Sequence, residues 1–161
     1  MPSEISEWMD PIVLDGDEMP WGNVKIKGDE FLICSGLTGR HPDKNQEYPQ
    51  LLEDPDFETP DQEELDACYH TIEEQTRAIM DKYERIFDEA GTSFENVFYV
   101  GHYITERYYW PRAWRAEMEW MKENGYDEFT EKIRPGVLQV VEGLDHADMK
   151  IEIRMWATVP E

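Results

Sequence analysis

The residues best suited to chemistry lie in one alternating segment near the C-terminus, residues 149–157. With the two-residue period of a pleated strand, Lys150, Glu152, Arg154 and Trp156 fall on one face and apolar side chains on the other. A carboxylate in such a place can act as a general base toward water. A solvated sheet surface presents the same pattern, and from the segment alone a surface glutamate between two cations is the simpler interpretation.

Periodicity predicts the elements that must position this face. A helix is predicted from Thr71, where Thr71 and Glu74 have the spacing of a capping box, to Gly91, which would cap its end. A second helix is predicted at 111–123, with proline in its first turn. Strands are predicted at 23–27, 30–34, 97–104, 134–141 and 149–157. This order predicts an α/β (α+β) fold, a single sheet with both helices packed on one face and an oligomer partner covering the other.

Length and charge limit the possible functions. The 161 residues fit one domain, predicted at 23–161, preceded by an irregular N-terminal arm at 1–22. The net charge of −22 argues against nucleic-acid or anionic-membrane partners, since binding either needs a positive surface. There is no leader or apolar run long enough to span a bilayer, which predicts a cytoplasmic protein. The acidic loop at 40–66, interrupted by prolines, is either a lid or a solvated insertion.

The cysteines and histidines indicate no metal site. Cys34 and Cys68 form no framework, and Cys34 lies in an apolar run where a buried free thiol is expected. The four histidines have no pair with the short fixed spacing of metal ligands. We therefore expect each histidine to be solvated or to have an ordinary hydrogen-bond partner.

Four short motifs occur in an order and spacing that resemble the Rid family, also called YjgF-type or reactive-intermediate deaminases. The resemblance covers about residues 23–157. The motifs are Ser35-Gly36 after a predicted strand, TIEEQT at 71–76, AGTSFENV at 90–97, and RPG at 134–136 followed by KIEI at 150–153.

The resemblance implies a chorismate-mutase-like fold and a homotrimer with a small-molecule pocket at each subunit interface. It implies hydrolysis of a reactive imine or enamine, aminoacrylate-like or aminomuconate-like, to a carbonyl compound and ammonia, with no metal or organic cofactor. A non-catalytic oligomer that binds metabolites or protects other proteins is the alternative.

The resemblance also assigns candidate site residues. Glu152 matches the family's pocket glutamate, and Ser35 with Gly36 matches the loop that lines the pocket, although a plain turn would also explain that loop. Family members that deaminate 2-imino acids carry a carboxylate-binding arginine where this chain has Val137. Trp114 occupies a position that often holds asparagine near the pocket, and Arg115 beside it is a candidate cation, although helix-to-sheet core would explain much of the surrounding aromatic cluster.

Overall fold

The computed structural model describes residues 31–41, 68–126, 136–145 and 147–160 in full, and four N-terminal strands as backbone. Arg134, Pro135, His146 and nearly all of the predicted acidic loop at 40–66 lie outside the described residues. The elements are β1 (Ile5–Trp8), β2 (Ile12–Leu14), β3 (Asp17–Met19), β4 (Val24–Ile26), β5 (Phe31–Ile33), β6 (Leu37–Thr38), α1 (Ile72–Ala90), β7 (Val97–Ile104), α2 (Trp110–Glu123), β8 (Gly136–Val140) and β9 (Ile151–Thr158).

The main sheet is mixed and has β9 and β7 at its centre. Its order is β5-β9-β7-β8, and β6 pairs with β9 beside β5. The pairing of β7 with β8 is parallel, as expected for two strands joined through a helix, and the other pairings are antiparallel. The predicted C-terminal strands β8 and β9 are therefore both present, and β7 lies between them.

Helix α1 forms where its local sequence predicts it. The Thr71 hydroxyl accepts a hydrogen bond from the Glu74 N–H at 3.1 Å, and the Thr71 N–H donates to the Glu74 carboxylate at 3.0 Å. Gly91 ends the helix with φ of 75°, a left-handed conformation that favours glycine. One face of α1 is buried throughout, at Ile72, Thr76, Ile79, Tyr83, Ile86, Phe87 and Ala90, and we call it the apolar stripe.

Both helices pack on one face of the sheet, as predicted. The alternate residues of β9 that face them are fully buried and join the apolar stripe of α1 and the inner face of α2 in a single core. Exposed ion pairs between Arg77 and Glu123 and between Arg112 and Glu73 join the two helices at their outer surface. The buried residues of β9 are Ile151, Ile153, Met155 and Ala157.

One sequence prediction needs correction. The segment 1–22, predicted to be irregular, contains β1, β2 and β3; β1 pairs with β4 and β2 pairs with β3, both antiparallel. Strand β7 is buried on its helix face, whereas Phe98 is exposed and Tyr99 and Tyr103 are half-buried in the single chain. Cys34 is free and buried, as expected, and Cys68 is also free and buried.

Candidate active site

Glu152 lies on the face of the sheet that points away from both helices. His102 of β7 points toward α2, because its Nε2 lies 2.6 Å from the Glu117 carboxylate. Tyr103 follows His102 in the strand and therefore points to the opposite face. Glu152 pairs with Tyr103 across β7 and β9 and so shares the face of Tyr103. We call this surface the open face.

The loop before β6 lies directly against the Glu152 carboxylate. A β-carbon built on Gly36 would overlap the carboxylate group of Glu152. Two residues later, Thr38 pairs with Glu152 in the register of β6 and β9. The structure therefore brings together Glu152 and the Ser35-Gly36 loop, which are more than a hundred residues apart in the chain.

Tyr83 of α1 holds this loop in place from the core side of the sheet. Its hydroxyl lies 2.8 Å from the carbonyl oxygen of Ser35 and 2.8 Å from that of Ile153, and it accepts the Met155 N–H at 3.2 Å. Burial raises the pKa of Tyr83 well above its ordinary value, so the hydroxyl remains a donor at every accessible pH. One buried hydroxyl thus joins the loop to the strand that carries Glu152.

Replacing Tyr83 by Phe should destabilise the protein without creating a cavity. The Ser35 and Ile153 carbonyls and the Met155 N–H would lose a buried partner, so we expect a loss of about 1–3 kcal/mol in the free energy of unfolding. Urea unfolding followed by circular dichroism measures this loss. A Tyr83→Phe variant with the wild-type midpoint would show that the hydroxyl does not hold the loop.

The environment of Glu152 favours its protonated form. Burial raises the pKa of Glu152 above its ordinary value of 4.5, an effect that the nearby Arg154 partly offsets and Asp145 reinforces. A half-buried carboxylate with a raised pKa is a better proton acceptor at neutral pH than a solvated one. Glu152 is therefore half-buried and differs in its pKa from a solvated surface glutamate.

A row of residues crosses the open face beside Glu152. Gly101 of β7 pairs with Arg154 of β9 on one side and with Val137 of β8 on the other. Gly101 carries no side chain, and its neighbours occupy the space above it: a β-carbon there would lie 3.4 Å from the Val137 side chain and 3.3 Å from the Tyr99 hydroxyl. Val137 therefore packs beside Gly101 and Tyr99, across β7 from Arg154.

Trp114 and Arg115 do not join this arrangement within one chain. The Trp114 ring packs on Trp110 at 5.4 Å between centroids, and Trp110 packs on His102 at 4.8 Å. These contacts place Trp114 on the helix side of the sheet, and Arg115 is exposed on the same helix. The sheet thus separates both residues from Glu152.

Several residues of the open face were not identified from the sequence. Tyr103 lies opposite Glu152, and Tyr99 stacks on Trp156 at 4.4 Å with an interplanar angle of 24°. The aromatic spacing in 97–104 shows that these side chains share a face, but it does not show which strand lies beside them. Only the register of β7 with β9 brings Gly101 and the two tyrosines to the site.

The described part of the chain contains no group of three or more His, Cys, Asp or Glu side chains that could hold a metal ion. The buried His102 has Glu117 as its hydrogen-bond partner, in line with the expectation that each histidine is solvated or has an ordinary partner. No helix among the described residues is long and apolar enough to cross a membrane.

Replacing Gly36 by Ala should impair the site while leaving the fold intact. The new methyl group would displace the Glu152 carboxylate or the loop, and a shift of about 1 Å can cost about a hundredfold in turnover. Gly143→Ala is a matched control, because a β-carbon at Gly143 meets no atom within 4 Å. We expect kcat/KM to fall in Gly36→Ala only. Equal kcat/KM in Gly36→Ala and Gly143→Ala would show that the loop does not pack closely on a catalytic Glu152.

No family model and no curated protein sequence matches the chain. Solved structures do match. YyfA from Yersinia pestis, described as a conserved Rid family protein, is 16% identical with a TM-score of 0.64, covering 98% of this chain and 100% of its own. PA3499 from Pseudomonas aeruginosa is 19% identical with a TM-score of 0.63, covering 98% and 94%. Rv2704 from Mycobacterium tuberculosis, of the YjgF/YER057c/UK114 family, is 19% identical with a TM-score of 0.50, covering 83% of each chain. Identities this low establish a shared fold, and the resemblance drawn from the sequence is confirmed at that level.

Proposed function

From the chorismate-mutase-like α+β fold that this chain shares with Rid-family structures, we propose that it is a cofactor-free hydrolytic deaminase of a small imine or enamine. The substrate would be aminoacrylate-like or aminomuconate-like, or a bulkier or cyclic relative. The observation that carries the proposal is the half-buried Glu152, which has a raised pKa and lies against the Gly36 loop. Such a carboxylate can take a proton from water beside a bound C=N carbon.

In the proposed reaction, Glu152 removes a proton from water as the water oxygen bonds to the C=N carbon. The C=N double bond becomes a single bond, and the nitrogen takes up the proton that Glu152 removed from water, which gives a neutral amino alcohol. Glu152 then removes the proton of the new hydroxyl as the C=O bond forms and the C–N bond breaks, and it passes this proton to the leaving nitrogen, so that ammonia and a carbonyl compound result. The Gly36 N–H and the Ser35 hydroxyl are the groups we propose to orient the reacting nitrogen or oxygen.

We propose that neighbouring subunits of a homotrimer complete the site. Five large apolar side chains among the described residues are exposed in the single chain, including Trp114 by 44%, Leu138 by 44% and Val140 by 55%, which supports a covering partner. Trp114 and Arg115 can contribute only from such a neighbour, because the sheet separates them from Glu152 of their own chain. Sedimentation equilibrium tests the trimer, and a monomer at micromolar concentration would contradict it.

The proposed enzyme would act in the cytoplasm. The two buried free cysteines fit a reducing compartment.

The second candidate is a non-catalytic oligomer that binds metabolites or protects other proteins. Val137 favours it, because valine offers neither the charge nor the donors of the arginine that binds substrate carboxylates in related deaminases. An enzyme that has lost this contact could retain the fold and a binding site without turnover.

Ammonia release separates the two candidates. Imines are generated in situ from amino acids by an oxidase or a lyase, and ammonia is followed with and without this protein. The deaminase proposal predicts release faster than the spontaneous rate for at least one unsaturated or cyclic imine. Release at the spontaneous rate for 2-imino acids, aminoacrylate and aminomuconate alike would favour the binding protein.

A further inference from the structure

Two polar atoms on the open face are buried without a hydrogen-bond partner. Among the residues that the structure describes, the Arg154 Nε and the Trp156 Nε1 are such atoms, and both are donors. Arg154 and Trp156 follow Glu152 at two-residue steps along β9, so all three side chains lie on one face. Unpaired buried donors are costly, and they indicate a place that an acceptor would fill.

Gly101 of β7 lies next to these donors, because Arg154 pairs with it in the register of β9 and β7. The Tyr99 ring and the Val137 side chain lie close above Gly101. The Arg154 Cζ lies 5.8 Å from the centre of the Tyr103 ring, which directs the cation toward Glu152. On the other side of Arg154 is the stacked pair of Tyr99 and Trp156.

Three other cations among the described residues are engaged elsewhere. Arg77 and Arg112 form ion pairs with glutamates on the outer surface of the helices. The Lys82 ammonium donates to the backbone carbonyls of Thr38 and Arg40. Arg154 is the cation whose position and unpaired Nε suit a ligand beside Glu152.

We propose that Arg154 binds the substrate carboxylate, with the Trp156 indole N–H as a second donor, and that the site selects flat conjugated carboxylates. This inference rests on the deaminase proposal and names its substrate class. Guanidinium binds carboxylate by two parallel hydrogen bonds, and the aromatic rings on both sides of Arg154 favour a planar chain. Arg154 lies on β9, across Gly101 from Val137 of β8. It thus supplies the positive charge that Val137 lacks.

The spacing along β9 sets the size of the substrate. Residues two apart in a strand are separated by about 7 Å, so a carboxylate held by Arg154 has its unsaturated carbons within reach of Glu152. A substrate of this kind carries its C=N or enamine group a few bonds from the carboxylate. A neutral imine of the same shape would make no use of the guanidinium.

Binding of sorbate, a flat conjugated carboxylate with no amine, tests the inference independently of turnover. Isothermal titration with the whole protein should give sorbate binding that Arg154→Met weakens about ten- to hundredfold. Sorbamide, the neutral amide of the same chain, should bind equally to both proteins. Arg154→Lys keeps the charge without the planar guanidinium, so we expect an intermediate affinity for sorbate. If Arg154→Met does not fold, Arg154→Lys is the variant that tests the inference.

Lys150→Met is the matched control, because it removes one positive charge on the other side of Glu152 on the same face. We expect it to bind sorbate as the wild type does. Equal sorbate affinity of the wild type and both Arg154 variants, or no sorbate binding by the wild type at millimolar concentration, would overturn the inference. Arginine-dependent sorbate binding without ammonia release from any imine would overturn the deaminase proposal and leave this inference standing.

Discussion

Replacing Glu152 by Gln is expected to lower kcat/KM for ammonia release by about 10²- to 10⁴-fold, the usual contribution of a positioned general base. The amide keeps the size of the side chain and its packing against Gly36, but it cannot accept a proton from water. Steady-state kinetics on an imine that the wild type hydrolyses measures the loss. Wild-type kcat/KM in Glu152→Gln would remove Glu152 from the mechanism.

The same variant should be more stable than the wild type at neutral pH. Folding raises the pKa of Glu152, so protonated Glu152 stabilises the folded protein at a pH below the pKa of Glu152 in the unfolded chain. This stabilisation is lost as the pH rises through the higher pKa of Glu152 in the folded protein. A neutral Gln avoids this loss, so the thermal midpoint at pH 7 should rise while activity falls. Glu142→Gln, at an exposed position of the loop after β8, should change neither property. A fall in both activity and midpoint in Glu152→Gln would indicate a structural role.

Replacing Glu117 by Ala is expected to cause the largest loss of stability, about 3–5 kcal/mol in the free energy of unfolding. Glu117 is 1% exposed, and its carboxylate lies 2.6 Å from the Nε2 of His102, which is 5% exposed. Removing the carboxylate leaves a buried imidazole without its partner. Urea unfolding of the variant measures the cost, and a loss below about 1 kcal/mol would show that this buried pair is not critical.

Two further variants separate the pair from general effects of charge. A double variant, His102→Leu with Glu117→Met, should be more stable than Glu117→Ala alone, because neither polar group is then left unpaired in the core. Glu123→Gln breaks the exposed pair with Arg77 and should leave the unfolding midpoint close to that of the wild type. Equal losses in Glu117→Ala and Glu123→Gln would mean that burial does not set the cost.

Local features of the sequence predicted the helices and the polarity of β9. The Thr71–Glu74 capping box and Gly91 define α1 without reference to the rest of the fold. The alternation from Ile151 onward identifies which side of β9 is buried. These features depend on residues a few positions apart, so sequence alone contains them.

The arrangement of the site depends on contacts between distant segments, and sequence alone did not contain it. The packing of Gly36 on Glu152 came from the family resemblance rather than from periodicity. The row of Arg154, Gly101 and Val137 depends on the joint register of β8, β7 and β9, which the alternation within each strand does not specify. Trp114 illustrates the same limit. The family resemblance places it near the pocket, but in the structure the sheet separates it from Glu152 of its own chain.

The pH dependence of kcat/KM for ammonia release tests most directly whether Glu152 is the base. With the spontaneous rate subtracted, the wild-type value is predicted to rise with pH through an inflection above 4.5, the ordinary pKa of a glutamate, because the site raises the pKa of Glu152. Glu152→Gln should lack this inflection. A wild-type profile that is flat from pH 4 to pH 8, or one that coincides with the profile of Glu152→Gln, would contradict the account.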